Sequence, residues 1–105
     1  MKLVIIESPY KGDKEANTEY ARKCVRDSLS RDEAPIASHL LYTQPGILKD
    51  EIPAERQLGI DAGLAWLKVA DAVVVYEDKG ITEGMEEGIS AAKEADIPVE
   101  YRKIL

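Results

Sequence analysis

The chain has no phenylalanine, one tryptophan, one histidine and one cysteine among its 105 residues. A lone cysteine excludes an internal disulfide, and with a single histidine beside it no zinc cluster can be built. Bases are scarce: 14 lysines and arginines stand against 20 aspartates and glutamates, for a formal charge of -6. Nucleic-acid affinity rests on clustered Lys and Arg meeting phosphates, so neither DNA nor RNA is an expected partner. Long apolar runs are missing too. The opening run Leu3 to Ile6 is too short for a signal peptide or a membrane span. The expectation is a soluble, cytoplasmic protein with no membrane partner. What remains is 45% hydrophobic and 32% charged. That is enough apolar content for one packed core, so residues 1–105 read as a single domain, and a domain this small gains from forming a homo-oligomer.

Leu3 to Ile6, ended by Ser8, Pro9 and Gly12, reads as a strand buried on both faces. From Asp13 the pattern turns helical: Tyr20, Cys24 and Ser28 recur every four residues, with Ala21, Val25 and Leu29 one step round. Pro35 to Ala37 is a second short strand leading into Ser38–Tyr42. Thr43 to Pro53 carries two prolines and a glycine and reads as a long binding loop or lid. A helix is expected from about Ala54 to Val69, with Trp66 supplying the largest buried area. Ala72 to Tyr76 is the clearest strand. Thr82 caps a helix that ends near Ala95, and Pro98 to Tyr101 forms a last strand. Alternating elements of this kind predict an α/β fold: a small open parallel sheet of about four strands with flanking helices, Rossmann- or flavodoxin-like.

In such sheets ligands bind beyond the carboxyl ends of the strands. Three segments meet there: Glu7–Gly12, Ser38–His39 and Glu77–Gly80, joined by the helix start at Thr82. The first, with Ser8 and Gly12, offers backbone N–H groups to a phosphate or carboxylate. It is neither a P-loop nor a dinucleotide fingerprint; an ordinary strand-to-helix turn is the plainer reading. Of the acids Glu77, Asp78, Glu83, Glu86 and Glu87, Glu83 and Glu87 read as a solvated helix cap. Glu86, one turn into the helix, is the candidate nucleophile or base. His39 is either a structural partner or a catalyst. Cys24 belongs to the core. Tyr10 and Tyr42, packing residues if taken singly, lie near the crevice and offer a face for a base.

The run Gly63 to Val75 resembles the helix-to-strand segment of the nucleoside 2-deoxyribosyltransferase superfamily, and Gly84 to Ala91 resembles its nucleophile helix. Ser8–Gly12 and Ser38–His39 resemble the branch that hydrolyses deoxynucleoside 5'-phosphates. The overall pattern is similar to small bacterial and phage members. The resemblance implies Glu86 as the glutamate that attacks C1' of deoxyribose. It implies Asp78 as an aspartate contacting base or sugar, and Ser8, Pro9, Tyr10, Gly12, His39, Tyr42, Gly84 and Met85 as ligand-binding positions. It also implies a dimer and no cofactor or metal. Two departures stand out. An aspartate of the family falls at Gly63, with Asp61 two residues away as the nearest substitute. Glu7 stands where the family carries glycine, and a carboxylate there repels a phosphate unless it turns away.

Three functions follow. The leading one is a protein that keeps the nucleoside pocket without turnover and sequesters a nucleotide or an ADP-ribose-type signal, by analogy with phage anti-defence proteins. The alternative is an active deoxyribosyltransferase or deoxynucleotide N-glycosidase using Glu86. The third is an interaction protein whose crevice is unused.

Overall fold

The middle of the sheet is made by β1 (Lys2–Glu7) and β3 (Ala72–Tyr76), with β2 (Glu33–Ile36) and β4 (Val99–Arg102) at its edges. The order is β2-β1-β3-β4 and every pairing is parallel, with Ile5 opposite both Ile36 and Val73. The computed structural model describes residues 1–105. Alternate residues of a strand face opposite sides of its sheet. Val4, Ile6, Val74 and Tyr76 therefore meet Tyr20 and Cys24 of α1 (Lys14–Ser30) on one face. Ile5, Val73 and Val75 meet Met85, Ile89 and Ala92 of α4 (Glu83–Glu94) on the other. This is the expected four-stranded parallel α/β sheet, and the unbroken valines of β3 are covered on both sides as read.

The caps are local and sequence-encoded. Asp13 accepts a hydrogen bond from the Ala16 amide at 3.1 Å, and Thr82 Oγ1 accepts one from the Met85 amide at 3.3 Å. On α1 the stripe Tyr20, Ala21, Cys24 and Ser28 is buried, while Leu29 lies outside it, 51% exposed. No helix is long and apolar enough to cross a membrane.

The stretch from Ala54 to Val69 departs from expectation. α3 (Pro53–Ala65) ends early and a single 3-10 turn, Trp66–Lys68, follows. No residue of α3 is buried, because the helix packs chiefly on the short α2 (Ser38–Leu41) rather than on the sheet. Trp66 is 42% exposed and donates its Nε1–H to Tyr42 Oη at 3.0 Å. Tyr76, in β3, is the largest fully buried side chain instead.

A buried ion pair joins the two edge strands. Arg102 of β4 donates to both carboxylate oxygens of Glu33 in β2, at 2.8 and 2.6 Å, and to Tyr76 Oη at 3.1 Å. Ser28 donates to the same glutamate at 2.8 Å, and Tyr76 Oη donates to Asp27 at 2.8 Å. The Arg102 guanidinium holds the Glu33 carboxyl below its usual range. That stabilisation is present above the ordinary carboxylate pKa and is lost as pH falls through the lowered value. Removing one partner leaves the other charge buried and unpaired. Arg102→Ala is expected to lower unfolding free energy in urea by about 3–5 kcal/mol, whereas Glu33→Leu with Arg102→Met together should cost far less.

Candidate functional site

One cavity of about 490 Å³ opens beyond the carboxyl ends of β1 and β3. Those strands sit where the chain's crossovers diverge, β1 leading outward to β2 and β3 outward to β4. A crevice at that switch point is a consequence of topology. Ile5, Val73, Leu67 and Met85 make its apolar base.

Above that base sits a polar pair. Ser8 Oγ and His39 Nε2 share a hydrogen bond of 2.6 Å. Ser8 is buried, and burial pushes His39 down to about 4, so its imidazole is neutral near pH 7. Sequence reading left Asn17 unremarked. It is buried and donates to the carbonyls of Tyr10 and Lys11, at 3.1 and 2.9 Å, which fixes the loop after β1. The long loop closes one side of the mouth through Asp50, which lies 3.7 Å from Lys14 Nζ and 3.8 Å from Arg56 Nε.

Helix α4 contributes Thr82, Glu83, Gly84, Met85, Glu87 and Gly88 to the lining. Its rotation is set by Met85, Ile89 and Ala92, which are anchored in the core. With 3.6 residues per turn, Gly84, Glu87 and Gly88 then share the cavity face. Glu86 turns away and lines only a shallow outer groove, with Glu83, Glu87, Ser90, Ala91 and Glu94. The carboxylate that the sequence put forward as nucleophile is thus outside the cavity. Glu87 and Glu83, read as a solvated cap, are exposed and line both the cavity and the groove.

Ser8, Tyr10, His39, Tyr42, Gly84 and Met85 do come together around the cavity. Four other expected positions do not line it. Pro9 is buried beside Ser8, and Gly12 is an exposed turn residue with φ of 100°. Asp61 faces solvent, accepting from Gln57 at 2.9 Å. Asp78 is occupied elsewhere, accepting from Tyr20 Oη at 2.6 Å and from the Ile104 and Leu105 amides at 3.0 and 2.9 Å. Gly63 does line the cavity, but a Cβ there would lie 2.5 Å from Ser38 Oγ. α2 occupies the space that an aspartate would need, and Asp61 does not reach in to replace it.

Glu7 does not turn away. It lines the cavity, next to Gly88, where an added Cβ would sit 2.6 Å from the Glu7 carboxyl carbon. No hydrogen bond or ion pair offsets its desolvation, and burial pushes it up from 4.5 to about 8. The signal in sequence was its position as an acid ending a buried strand; its partner Gly88, far along the chain, was not visible.

The two shifted groups have opposite linkage. Glu7 contributes full stability below 4.5 and loses it as pH rises through about 8. His39 contributes above 6.5 and loses it as pH falls through about 4. Between pH 6.5 and 8.5 the Glu7 slope stands alone of the two. The urea midpoint of the wild-type chain should fall across that window, and Glu7→Gln should flatten the fall.

The fold recurs in proteins of known structure. A 2-deoxyribosyltransferase from Bacillus psychrosaccharolyticus matches with a TM-score of 0.67 and 16% identity, covering 96% of this chain and 72% of its own. A 2-deoxyribosyltransferase from Leishmania mexicana matches with a TM-score of 0.62 and 14% identity, covering 98% of this chain. The present chain spans 65% of that second protein. Likeness at this identity is likeness of fold, and at that level the resemblance read from the sequence holds. No curated protein matches the chain by sequence. A family model described as a domain of unknown function, DUF7768, matches residues 2–102, and the chain belongs to that family.

Proposed function

We propose that the cavity binds a nucleoside-type small molecule. The observation that carries this reading is the cavity itself. It lies at the switch point of a sheet shared with 2-deoxyribosyltransferases and has Tyr10 and Tyr42 among its walls and the Ser8–His39 pair within it. The tyrosines supply aromatic faces for a base, and the polar groups orient a sugar. The volume is of the size that small-ligand sites have. Binding without turnover is the favoured form, because Glu86 lies on the outer groove and Gly63 carries no carboxylate. Sequestration of a nucleotide or an ADP-ribose-type signal is the role consistent with it.

A second reading is supported by the carboxyl groups that line the cavity, Glu7 and Glu87 among them. A raised acid that shares a cavity with a second carboxyl is the kind of pairing that glycosidic-bond cleavage uses. In this reading Glu87 takes the role that the sequence put on Glu86.

A homodimer is part of the proposal. α3 leaves Leu58 in solvent, outside the cavity, and a second copy of the chain would cover it. Sedimentation velocity should show a dimer for the wild type and a monomer for Leu58→Asp; a wild-type monomer at all concentrations would remove this part.

The binding reading is tested with deoxynucleosides, their 5'-monophosphates and ADP-ribose, following thermal shift and release of free base together. A ligand at a hundred times its Kd adds about 2.7 kcal/mol to stability, a shift of several degrees for a domain of this size. The expected result is a shift without base release, unchanged in Glu86→Ala. Base release abolished by Glu87→Gln and kept in Glu86→Ala would establish the second reading in its place. No shift with any of these compounds would refute both.

A further inference from the structure

We infer that Glu7, seated in the space that Gly88 leaves open, serves the ligand of this cavity as a neutral hydrogen-bond donor. Its deprotonation would then release the ligand. The inference rests on the nucleoside reading of the cavity and names the group that makes that binding depend on pH.

Three observations carry it. The first is steric. Any side chain at position 88 would strike the Glu7 carboxyl, so the glycine and the glutamate fit one another across α4 and β1. Glycine inside a helix costs about 1 kcal/mol relative to alanine, and here it makes room for a carboxyl group. The second is that this carboxyl has no partner within the protein and that its remaining exposure opens on the cavity. A desolvated acid without a cation beside it is held protonated, and a protonated carboxyl has an O–H to donate. The third is that several of the neighbouring polar groups are committed. Ser8 and His39 bond to each other, Asn17 holds the loop carbonyls, and Arg56 faces Asp50. Glu7 has no such bond, and unlike Tyr10, Lys11 and Ser38, which also line the cavity, it ends the central strand β1.

The acceptors that suit it are the uncharged ones of a nucleoside: ring nitrogens, carbonyl oxygens and sugar oxygens. Once ionised, the same carboxylate presents lone pairs to lone pairs and the contact is lost. Other charged and titratable groups face the same space. Glu83 and Glu87 come from α4, and Glu55 and Arg56 from α3. The loop after β1 brings Tyr10 and Lys11; Tyr42 and Asp50 stand at the mouth. His39 on α2 is neutral throughout the alkaline range. A Glu7→Gln variant separates Glu7 from all of them, since its amide donates at every pH and nothing else changes.

The test is isothermal titration calorimetry of the full chain with 2'-deoxyadenosine and 2'-deoxycytidine, which keep one charge state from pH 6.5 to 9.5. Wild-type affinity should fall roughly thirtyfold across that range, as expected for one group titrating near pH 8. At pH 8.5 binding should take up most of a proton, read from the dependence of the heat on buffer. Glu7→Gln should bind at close to the wild-type pH 6.5 affinity throughout, with no proton uptake, and Glu7→Ala should bind weakly at every pH. An alkaline loss of affinity that persists unchanged in Glu7→Gln would overturn the inference alone, as would wild-type binding by Glu7→Ala. Failure of both deoxynucleosides to bind the wild type at pH 6.5 would overturn this inference, and the reading of the cavity falls with it only if the 5'-monophosphates and ADP-ribose fail as well.

Discussion

Val73, Val74 and Val75 leave no face of β3 in water, and the rest of the fold answers that constraint. A strand apolar on both faces needs a layer on each, so α1 must lie on one side of the sheet and α4 on the other. Parallel neighbours require crossovers, and the crossovers place every loop of chemical interest at one end. The cavity is what remains at that end between the two outward-winding halves. It exists because of the sheet, before any side chain is chosen to line it.

The same core decides which side chains do line it. Met85, Ile89 and Ala92 are anchored against β3, and that anchoring leaves α4 no freedom to rotate. Gly84, Glu87 and Gly88 are turned toward the cavity and Glu86 toward solvent. A difference of one residue in a helix is about 100° of arc, so of two neighbouring glutamates that share the outer groove only Glu87 also reaches the cavity. Two glycines four residues apart leave that wall of the helix open, and Glu7 from the adjoining strand occupies part of the opening.

The site's electrostatics follow from burial rather than from pairing. Acids crowd its walls, yet Glu7 and His39, the two groups shifted most clearly by desolvation there, are both moved toward their neutral forms. The contrast lies at the far side of the sheet. There Arg102 and Glu33 are fully paired and both remain charged, tying the edge strands together through Tyr76. One face of the sheet uses its buried polar groups for structure, and the cavity on the other holds a carboxyl group with no partner in the protein.

Much of this was legible in the residues. The β-branched runs, the Asp13 and Thr82 caps and the four-residue stripe of α1 are local patterns, and they specified a parallel α/β sheet and the end of it where a site would form. Ser8, Tyr10, His39 and Tyr42 line the cavity at that end because strand termini converge there in any such sheet. α3 misled because its apolar positions pack on a four-residue helix instead of the sheet, and no periodicity reports what a face will meet. The aspect of Glu86, the clash that Ser38 imposes on position 63 and the seat of Glu7 against Gly88 were decided by tertiary structure alone. Each depends on a distance between elements far apart in the chain, and short-range sequence patterns carry no such distance.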